Sequence, residues 1–339
     1  YFCTSAAHLI ADITPDPALR NVLAGSALLY GGLKDVSTFY QHAMINHSYI
    51  EGAYRFVDGS MQVSLELINV IRANGGTVLN NSEATRIIVE NEKVQGVIIN
   101  GEERLESDFV ISNMHPQRTL EILDKNRSIK NAYISRIRSL ENTYGIFTLY
   151  LVMKKKSTPY QNRNLYLHAN NKVWYDKLLY PGRTTNCMIS MQASSEDSQY
   201  ASVISILTPM YIDELSAWKD TTPEHRGGDY QSFKKEKAEQ ILRFIRGHGI
   251  DLSENIEEMY TTTPLSYRDY TGTVDGSAYG IIKDYKCPQI GFVSTRSRLG
   301  NLTGQNLNVH GALGVTLTAM LTCAEFVGQE YLAKKVGNA

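Results

Sequence analysis

The sequence predicts a mixed α/β fold, in which helices and sheets share the core of a large globular protein. Two kinds of periodicity alternate along its 339 residues. Apolar residues recur at helical spacing over 63–71, whereas a period of two follows over 84–99. The third observation is a cluster of glycines and amide side chains over 303–314, directly before a long apolar run. At this length the chain can bury one large core or two ordinary domains.

The first helix with a clear apolar face follows a turn at Asp58, Gly59 and Ser60. Ser60 is expected to cap it by accepting a hydrogen bond from the helix backbone. Gly75-Gly76 end the helix, because glycine readily adopts the left-handed conformation that closes many helices. The apolar positions that define its face are Val63, Leu67, Val70 and Ile71.

A small meander is predicted after these glycines. Strands are expected at 77–79, 84–89 and 94–99, with a polar turn at 90–93 and a tight hairpin turn at Asn100-Gly101. Further along, 109–111 is predicted as a short, fully apolar strand. Ser112 and Asn113 follow that strand, and Pro116 suits the first turn of the next helix.

The middle of the chain is predicted to be a separate module built on a sheet. Four stretches rich in β-branched and aromatic residues indicate an antiparallel or mixed sheet. One face of this sheet would wall a cavity, and the other would carry helices predicted at 119–140 and 230–246. The four strands are expected at 143–153, 164–168, 187–191 and 201–207.

The segment 303–314 is typical of a helix start that faces a ligand. Gly311 and Gly314 allow another molecule to approach the backbone, and the N–H groups of a helix start favour an anion such as phosphate. The apolar residues up to Phe326 predict that the helix itself is buried. The alternative interpretation is a glycine-rich loop that leads into a core helix without binding anything.

Composition argues against several classes of protein. With 34 basic and 35 acidic side chains, the net charge of -1 indicates no nucleic-acid partner. No apolar run approaches the roughly 18 to 20 residues of a membrane span. The cysteines and histidines lack the spacing of metal ligands, so no metal site is predicted.

These landmarks together resemble the second half of the FAD-dependent phytoene desaturase, carotenoid isomerase and retinol saturase family. The resemblance rests on 58–60 with Gly75-Gly76, on 263–270 with 276–280, and on 304–314. It implies a two-domain flavoprotein of the glutathione-reductase-like type. In such a protein the strand near Ala84 passes the adenine end of FAD, 263–280 lines the substrate side, and 304–314 closes over the flavin.

The chain departs from that family at one point. The G-x-G-x-x-G turn that opens such proteins is missing, and the only Gly-x-Gly is Gly247-His248-Gly249. The expectation is therefore an incomplete flavoprotein without its N-terminal nucleotide-binding half. Four segments follow from the resemblance: helices on the substrate side at 1–54, part of the FAD domain at 55–118, a substrate domain at 119–285, and a closing FAD segment at 286–339.

The function implied by the resemblance is FAD-dependent desaturation, saturation or isomerisation of carbon–carbon bonds in a long apolar isoprenoid, such as a carotenoid or retinoid. No protein nucleophile is needed, because a flavin carries the redox chemistry. The residues expected to contact the cofactor are Gly304, Gln305, Asn306, Gly311 and Gly314, together with Ala84, Ser112 and Asn113.

The catalytic residues are not identified by any motif. Tyr267, Arg268, Asp269 and His310 are candidates, because they lie in or beside the family-like segments. Each has a structural alternative. Arg268 and Asp269 would form an ion pair, and the His310 ring would hold the 306–311 loop.

Two other functions remain open at this stage. One is a non-catalytic remnant or a subunit that binds an apolar ligand, which predicts exposed apolar surface and oligomers. The other is an amine-oxidase-like flavoenzyme. A cytoplasmic location is expected, with peripheral contact to a membrane as an alternative. The lysine run at 154–156 is interpreted as a solvated strand end, and contact with anionic lipid headgroups is its alternative.

Overall fold

The computed structural model describes residues 1–176, 182–287 and 301–337. Within them, 3-10 helices lie at Ala27–Tyr30, Ile212–Trp218, Ser253–Asn255 and Val274–Gly276. The α-helices are α1 (Ala6–Ile13), α2 (Pro17–Ala24), α3 (Phe39–Gly52), α4 (Met61–Ala73), α5 (Pro116–Ile122), α6 (Asn131–Arg138), α7 (Gly227–Gly247), α8 (Pro264–Thr271), α9 (Gly311–Val327) and α10 (Gln329–Gly337). The strands are β1 (Ala84–Glu90), β2 (Lys93–Ile99), β3 (Glu103–Glu106), β4 (Ile111–Ser112), β5 (Gly145–Met153), β6 (Leu165–His168), β7 (Asn186–Met191), β8 (Val203–Met210), β9 (Ile256–Thr262) and β10 (Asn301–Leu302).

The described helices and sheets confirm the predicted mixed α/β class. The chain divides into two compact units. Unit 1 comprises Tyr1–Val78, Tyr144–Thr271 and Asp275–Ala278. Unit 2 comprises Leu79–Thr143, Gly272–Val274 and the described residues of Tyr279–Ala339. The predicted four-part division refers to a flavin-containing protein and stays a prediction.

Unit 1 is built on an antiparallel sheet with the order β6-β7-β8-β5-β9. The four strands predicted in the middle of the chain are confirmed as β5 to β8. The helix predicted at 230–246 is confirmed as α7, whose inner face joins the same core as the sheet. Side chains that build this core include Phe147, Leu149, Ile189, Ile204 and Ile206 from the sheet, and Ala238, Ile241 and Ile245 from α7.

The edge strand β9 was not predicted. Its side chains are mostly exposed, with Glu257 and Glu258 in its first half, so it lacks the alternation of apolar residues that identifies a half-buried strand. Backbone pairing with β5, which brings Tyr150 opposite Tyr260, creates the strand. Charged side chains at such an edge also discourage further strand pairing.

Unit 2 contains an antiparallel sheet with the order β1-β2-β3. The strands predicted at 84–89 and 94–99 are confirmed as β1 and β2, and the turn at Asn100-Gly101 leads into β3, which was not predicted. The strand predicted at 77–79 is wrong: these residues form no ladder among those described, and the Leu79 side chain is exposed.

The prediction of a three-residue apolar strand at 109–111 is also wrong. The regular strand β4 covers only Ile111–Ser112, and the Phe109 side chain is exposed. The backbone carbonyl oxygen of Phe109 accepts a hydrogen bond from the hydroxyl of Ser107 at 2.6 Å. This local turn occupies an acceptor that a longer strand would offer to a neighbour.

The single helix predicted at 119–140 is wrong, because the segment forms two helices, α5 and α6. Backbone groups between them bond elsewhere. The Asp124 N–H donates to the Ile87 carbonyl at 3.1 Å, and the Glu92 carboxylate accepts from the N–H of Arg127 and Ser128. These bonds to the β1–β2 hairpin replace the i to i−4 bonds of a continuous helix.

Helix α4 begins and ends at the predicted residues, with one correction. Ser60 is the N-cap residue, but its side chain makes no capping bond. The Gln62 side chain donates to the carbonyls of Val57 and Gly59, at 2.5 and 2.7 Å, and so holds the turn before the helix without capping its N–H groups. Gly75 has the predicted left-handed conformation, with φ of 82°.

Helix α9 contradicts the prediction of a buried apolar helix. Its inward side carries small and hydroxyl residues, and the Thr318 and Thr322 hydroxyls donate to the carbonyls one turn earlier. The large apolar residues of this helix point away from the core of unit 2. The exposed apolar side chains are Leu313, Leu317, Leu321, Phe326 and Val327. Across the described ranges, no helix is both long enough and apolar enough to cross a bilayer.

Candidate functional site

The centre of the candidate site in unit 2 is a parallel pairing of β4 with β10. Ile111 lies opposite Asn301 and Ser112 opposite Leu302, and the Thr303 N–H donates to the Ser112 carbonyl at 2.9 Å. Parallel strands have their carboxyl ends at the same edge, where ligands of α/β proteins commonly bind. Asn113 and Gly304 therefore emerge side by side from strands that are distant in sequence.

Gly304 packs directly against Asn113. Its φ is 95°, and a Cβ atom at this position would lie 2.1 Å from the Asn113 side-chain oxygen. The positive φ favours glycine, and a Cβ atom here would require the Asn113 side chain to move. Two of the segments predicted to contact the cofactor are thus joined at one point.

Asn306 connects the loop after Gly304 to a neighbouring segment through hydrogen bonds. Its side-chain oxygen accepts from the Ile281 N–H at 3.1 Å, and its carbonyl oxygen accepts from the Lys283 ammonium at 2.7 Å. Gly280 has a φ of 71°, and a Cβ atom there would lie 2.1 Å from the same Asn306 oxygen. The Asn306 side chain therefore connects the 304–310 loop to 280–283, and its oxygen is already bonded within the protein.

Lys283 was not identified from the sequence. Burial lowers the pKa of Lys283 to about 7, because removing an ammonium group from water disfavours its charged form. The Asn306 carbonyl is a neutral acceptor and compensates only part of that cost. A lone lysine outside any motif carries no signal in the sequence, so only the fold identifies it as a group that titrates near neutral pH.

His310 lies at the N-cap position of α9 and is buried. Its ring lies 4.6 Å from the Tyr279 ring, centroid to centroid, and its side chain makes no capping hydrogen bond to the helix. This tilted ring contact favours the structural alternative for His310, in which the ring holds the loop before α9.

Gly311 offers the most open backbone in the predicted motif. It is exposed, has a φ of 79°, and a Cβ atom there would meet nothing within 4 Å. Gly314 differs, because its Cβ would lie 2.2 Å from the Val309 carbonyl oxygen and the residue is buried. Gly311 is thus available for contact with a ligand, whereas Gly314 is required for internal packing.

The first turn of α9 is suited to an anion. This helix has 17 residues, its first turn contains no acidic residue, and Gly311, Ala312 and Leu313 are exposed. The amides at a helix start have no intrahelical acceptor, and the helix dipole favours negative charge there. A phosphate group would therefore find compatible donors at this point.

The other residues predicted to contact the cofactor, Ser112, Gln305 and Ala84, lie in different environments from Gly304 and Gly311. The Ser112 hydroxyl is buried and lies 2.7 Å from the Thr119 hydroxyl, so it bonds within unit 2. Gln305 is partly buried in the loop after Gly304. Ala84 begins β1, in a different sheet from β4 and β10. The structure brings Asn113 and Gly304 together and leaves Ala84 outside this arrangement.

The candidate acid–base residues Tyr267, Arg268 and Asp269 lie on α8 of unit 1. The Asp269 carboxylate bonds to two guanidinium groups, those of Arg226 and Arg268. Arg268 also donates to the carbonyls of Lys219 and Thr221. This arrangement is the ion pair of the structural alternative, because the Asp269 carboxylate is already bonded to both guanidinium groups. Burial raises the pKa of Tyr267, which keeps its phenol neutral.

Several known proteins are similar to this chain over nearly its whole length. No family model matches the chain. It is similar to all-trans-retinol 13,14-reductase of Danio rerio, with 23% identity over 96% of this chain and 58% of that protein. The human enzyme of the same name is 21% identical over 98% of this chain and 59% of its own length. The chain therefore spans a little under three fifths of the length of these curated relatives.

Among solved structures, an oxidoreductase from Methanosarcina mazei has a TM-score of 0.59 and 15% identity, and the match covers 94% of this chain and 68% of that one. This likeness shows a shared fold. The class indicated by the relatives is that of the oxidoreductases. The chain is similar to the all-trans-retinol 13,14-reductases, and this similarity confirms the predicted resemblance to the phytoene desaturase, carotenoid isomerase and retinol saturase family.

Proposed function

We propose that this chain carries the flavin-facing and substrate-facing parts of an FAD-dependent oxidoreductase that reduces a carbon–carbon double bond in a retinoid or related isoprenoid. The observation that carries the proposal is its similarity to all-trans-retinol 13,14-reductases over 94 to 98% of its length. Among desaturation, saturation and isomerisation, these relatives favour saturation. The fold is then that of a glutathione-reductase-like flavoprotein.

The residues of unit 2 fit such a cofactor. The uncapped, exposed first turn of α9 at Gly311 suits a pyrophosphate, and the Asn113–Gly304 contact lies at the carboxyl edge of the parallel strands. When bound, reduced FAD would supply the hydride for the reduction. Gln305 and Asn113 would orient the cofactor, while Asn306, Gly314 and Ser112 would hold the surrounding backbone.

Lys283 would place a titratable ammonium behind the same loop, 2.7 Å from the Asn306 carbonyl. The contribution of Tyr267, Arg268, Asp269 and His310 would be structural, because each packs or bonds within the protein. Specificity for an apolar substrate then depends on the cavity that receives it rather than on a charged side chain.

Retention of FAD tests this assignment. The purified chain is incubated with excess FAD, and its visible absorption is recorded after gel filtration. Gly311→Leu should lose the flavin. Gly328→Leu is a matched control, because Gly328 is also exposed, has a φ of 86° and lies at the opposite end of the same helix.

Flavin retained by the wild type and by Gly328→Leu, and lost from Gly311→Leu, supports the proposal. No retention by the wild type, or equal retention by all three proteins, overturns the cofactor assignment. Reduction itself is tested by adding dithionite and all-trans-retinol under anaerobic conditions to the flavin-loaded protein. The expected product is a retinoid that has gained two hydrogen atoms.

A second candidate function is supported by the exposed apolar faces of α4 and α9. A subunit that works with another polypeptide would present such faces to its partner. Each face belongs to a different unit. The apolar side chains on α4 are Val63, Leu65, Leu67, Val70 and Ile71.

A further inference from the structure

Unit 1 contains a cavity of about 1350 Å³ that none of the predicted motifs touches. Its walls come from α1, from α2 and from two connecting segments, 33–36 and 171–176. All of these residues belong to unit 1, so the cavity is complete within one compact body. Small-molecule sites are commonly about 300 to 1,000 Å³, and a larger cleft suits an elongated ligand.

The inner wall of this cavity is apolar. Ile10 and Val173 are buried, and together with Ala24 they form a small hydrophobic cluster against which Trp174 packs. These positions cannot hydrogen-bond a polar ligand. A ligand would gain binding free energy here by burying its apolar surface against these side chains.

A second wall is aromatic. The rings of Tyr175 and Tyr211 are stacked, with centroids 5.9 Å apart and planes inclined by 22°. The Tyr144 ring makes edge-to-face contacts with both rings, with centroid distances of 5.3 Å to Tyr175 and 6.1 Å to Tyr211. Flat and fixed aromatic faces favour a ligand with its own π-system.

The charged side chains around the cavity balance one another. Three carboxylates and three cations line it, so it does not select a charged ligand. Arg20 is already engaged, since it donates to the carbonyls of Thr14 at 2.7 Å and Ala11 at 3.0 Å. Asp16 caps α2 by accepting from the Ala18 N–H at 2.8 Å. The charged residues are Asp16, Arg20, Lys34, Asp35, Lys172 and Asp176.

We infer that this cavity binds an elongated, uncharged polyene of the isoprenoid class, for which all-trans-retinol is the probe. The inference rests on the proposed function for the identity of the ligand, and on the cavity walls for its location. The polyene lies against Trp174, Tyr175 and Tyr211, and the apolar wall at Ile10 and Val173 covers the rest of the chain.

The two tryptophans of the chain make a direct test practicable. Trp174 lines the cavity, whereas Trp218 packs against Tyr230 and Phe233 in the core around α7. Trp218→Phe leaves Trp174 as the sole tryptophan. Because retinol absorbs where tryptophan emits, bound retinol should quench Trp174 fluorescence in a saturable titration.

Variants that fill the cavity test whether retinol binds inside it. Ala11→Phe adds a ring from α1, and Ala18→Phe adds one from an exposed position on α2. Each should weaken retinol binding at least about tenfold, a loss of about 1.4 kcal/mol. Ile13→Phe is the control, because Ile13 is exposed on α1 and does not line the cavity. Circular dichroism verifies that each variant is folded.

Retinoic acid should bind no more tightly than retinol. The inference is overturned if quenching does not saturate, if folded Ala11→Phe and Ala18→Phe bind like the wild type, or if Ile13→Phe loses binding equally. The titration requires neither flavin nor turnover. Retinol binding without FAD retention would leave the cavity site intact and remove the flavoenzyme proposal, whereas FAD retention without saturable quenching would do the reverse.

Discussion

The Lys283 ammonium donates a hydrogen bond to the carbonyl oxygen of Asn306 at 2.7 Å, inside the loop that leads to α9. A backbone carbonyl is a neutral partner for a charged group. Burial therefore dominates, and the pKa of Lys283 falls from its ordinary 10.5 to about 7. The candidate cofactor loop is thus held by a residue whose charge changes near physiological pH.

Stability should depend on pH through this lysine. Below pH 7 the folded state bears the cost of a buried ammonium, and as pH rises from 7 to 10.5 the folded state loses the proton before the unfolded state does. Stability therefore rises with pH over this interval. Lys283→Met should be more stable than the wild type at pH 6, by about 2 kcal/mol. This gain should disappear by pH 11.

Urea unfolding followed by circular dichroism at several pH values measures this difference. Lys125→Met is the control, because Lys125 is an exposed lysine of the same unit. Its difference from the wild type should not change with pH. A Lys283→Met difference that is equally flat would contradict the assignment of the charge cost to Lys283.

Gly304→Ala should destabilise unit 2 by about 2 kcal/mol, because it imposes an unfavourable φ and also forces the exposed Asn113 side chain to move. Gly101→Ala is the matched control. Gly101 has a φ of 80° in the same unit, but its added Cβ would meet nothing within 4 Å, so the cost should be about 1 kcal/mol. Thermal or urea unfolding separates the two effects. Equal costs would show that the Asn113 contact is unimportant.

Asp269→Asn should destabilise unit 1 by about 3 to 5 kcal/mol, because Arg226 and Arg268 would lose the carboxylate between them. Asp251→Asn is the control: its ion pair with Arg246 at 3.2 Å is exposed, so little change is expected. Thermal unfolding gives the comparison. A stable Asp269→Asn protein with no activity would instead support a catalytic role for Asp269.

Self-association should depend on the outward face of α9. Leu317→Glu combined with Leu321→Glu places charge on this face and should shift the protein towards monomers in light scattering. Thr316→Glu combined with Ala319→Glu adds the same charge at exposed positions of the same helix while removing little apolar area. If both double variants associate like the wild type, the α9 face is not the surface responsible.

Much of the fold follows from local periodicity. The β-branched and aromatic runs of β5, β7 and β8 and the glycines after α4 specify elements that form as predicted, because their composition and their packing agree. The resemblance to the retinol saturase family rested on such local motifs and was confirmed by the relatives. Gly304 was predicted as a cofactor contact for the same reason, because a glycine-rich loop can be recognised from the sequence alone.

The remaining features required contacts between distant residues. The sequence by itself determined strands β1, β2 and β5 to β8, helices α4 and α7, and that 303–314 is an unusual loop. Only the tertiary structure decided that α9 faces inward with its threonines, that Asn306 bonds to Ile281, that Asp269 is neutralised by Arg226, and that Lys283 loses its hydration. The physical reason is that burial and charge neutralisation depend on which neighbours long-range folding supplies, and hydropathy along the chain does not encode them.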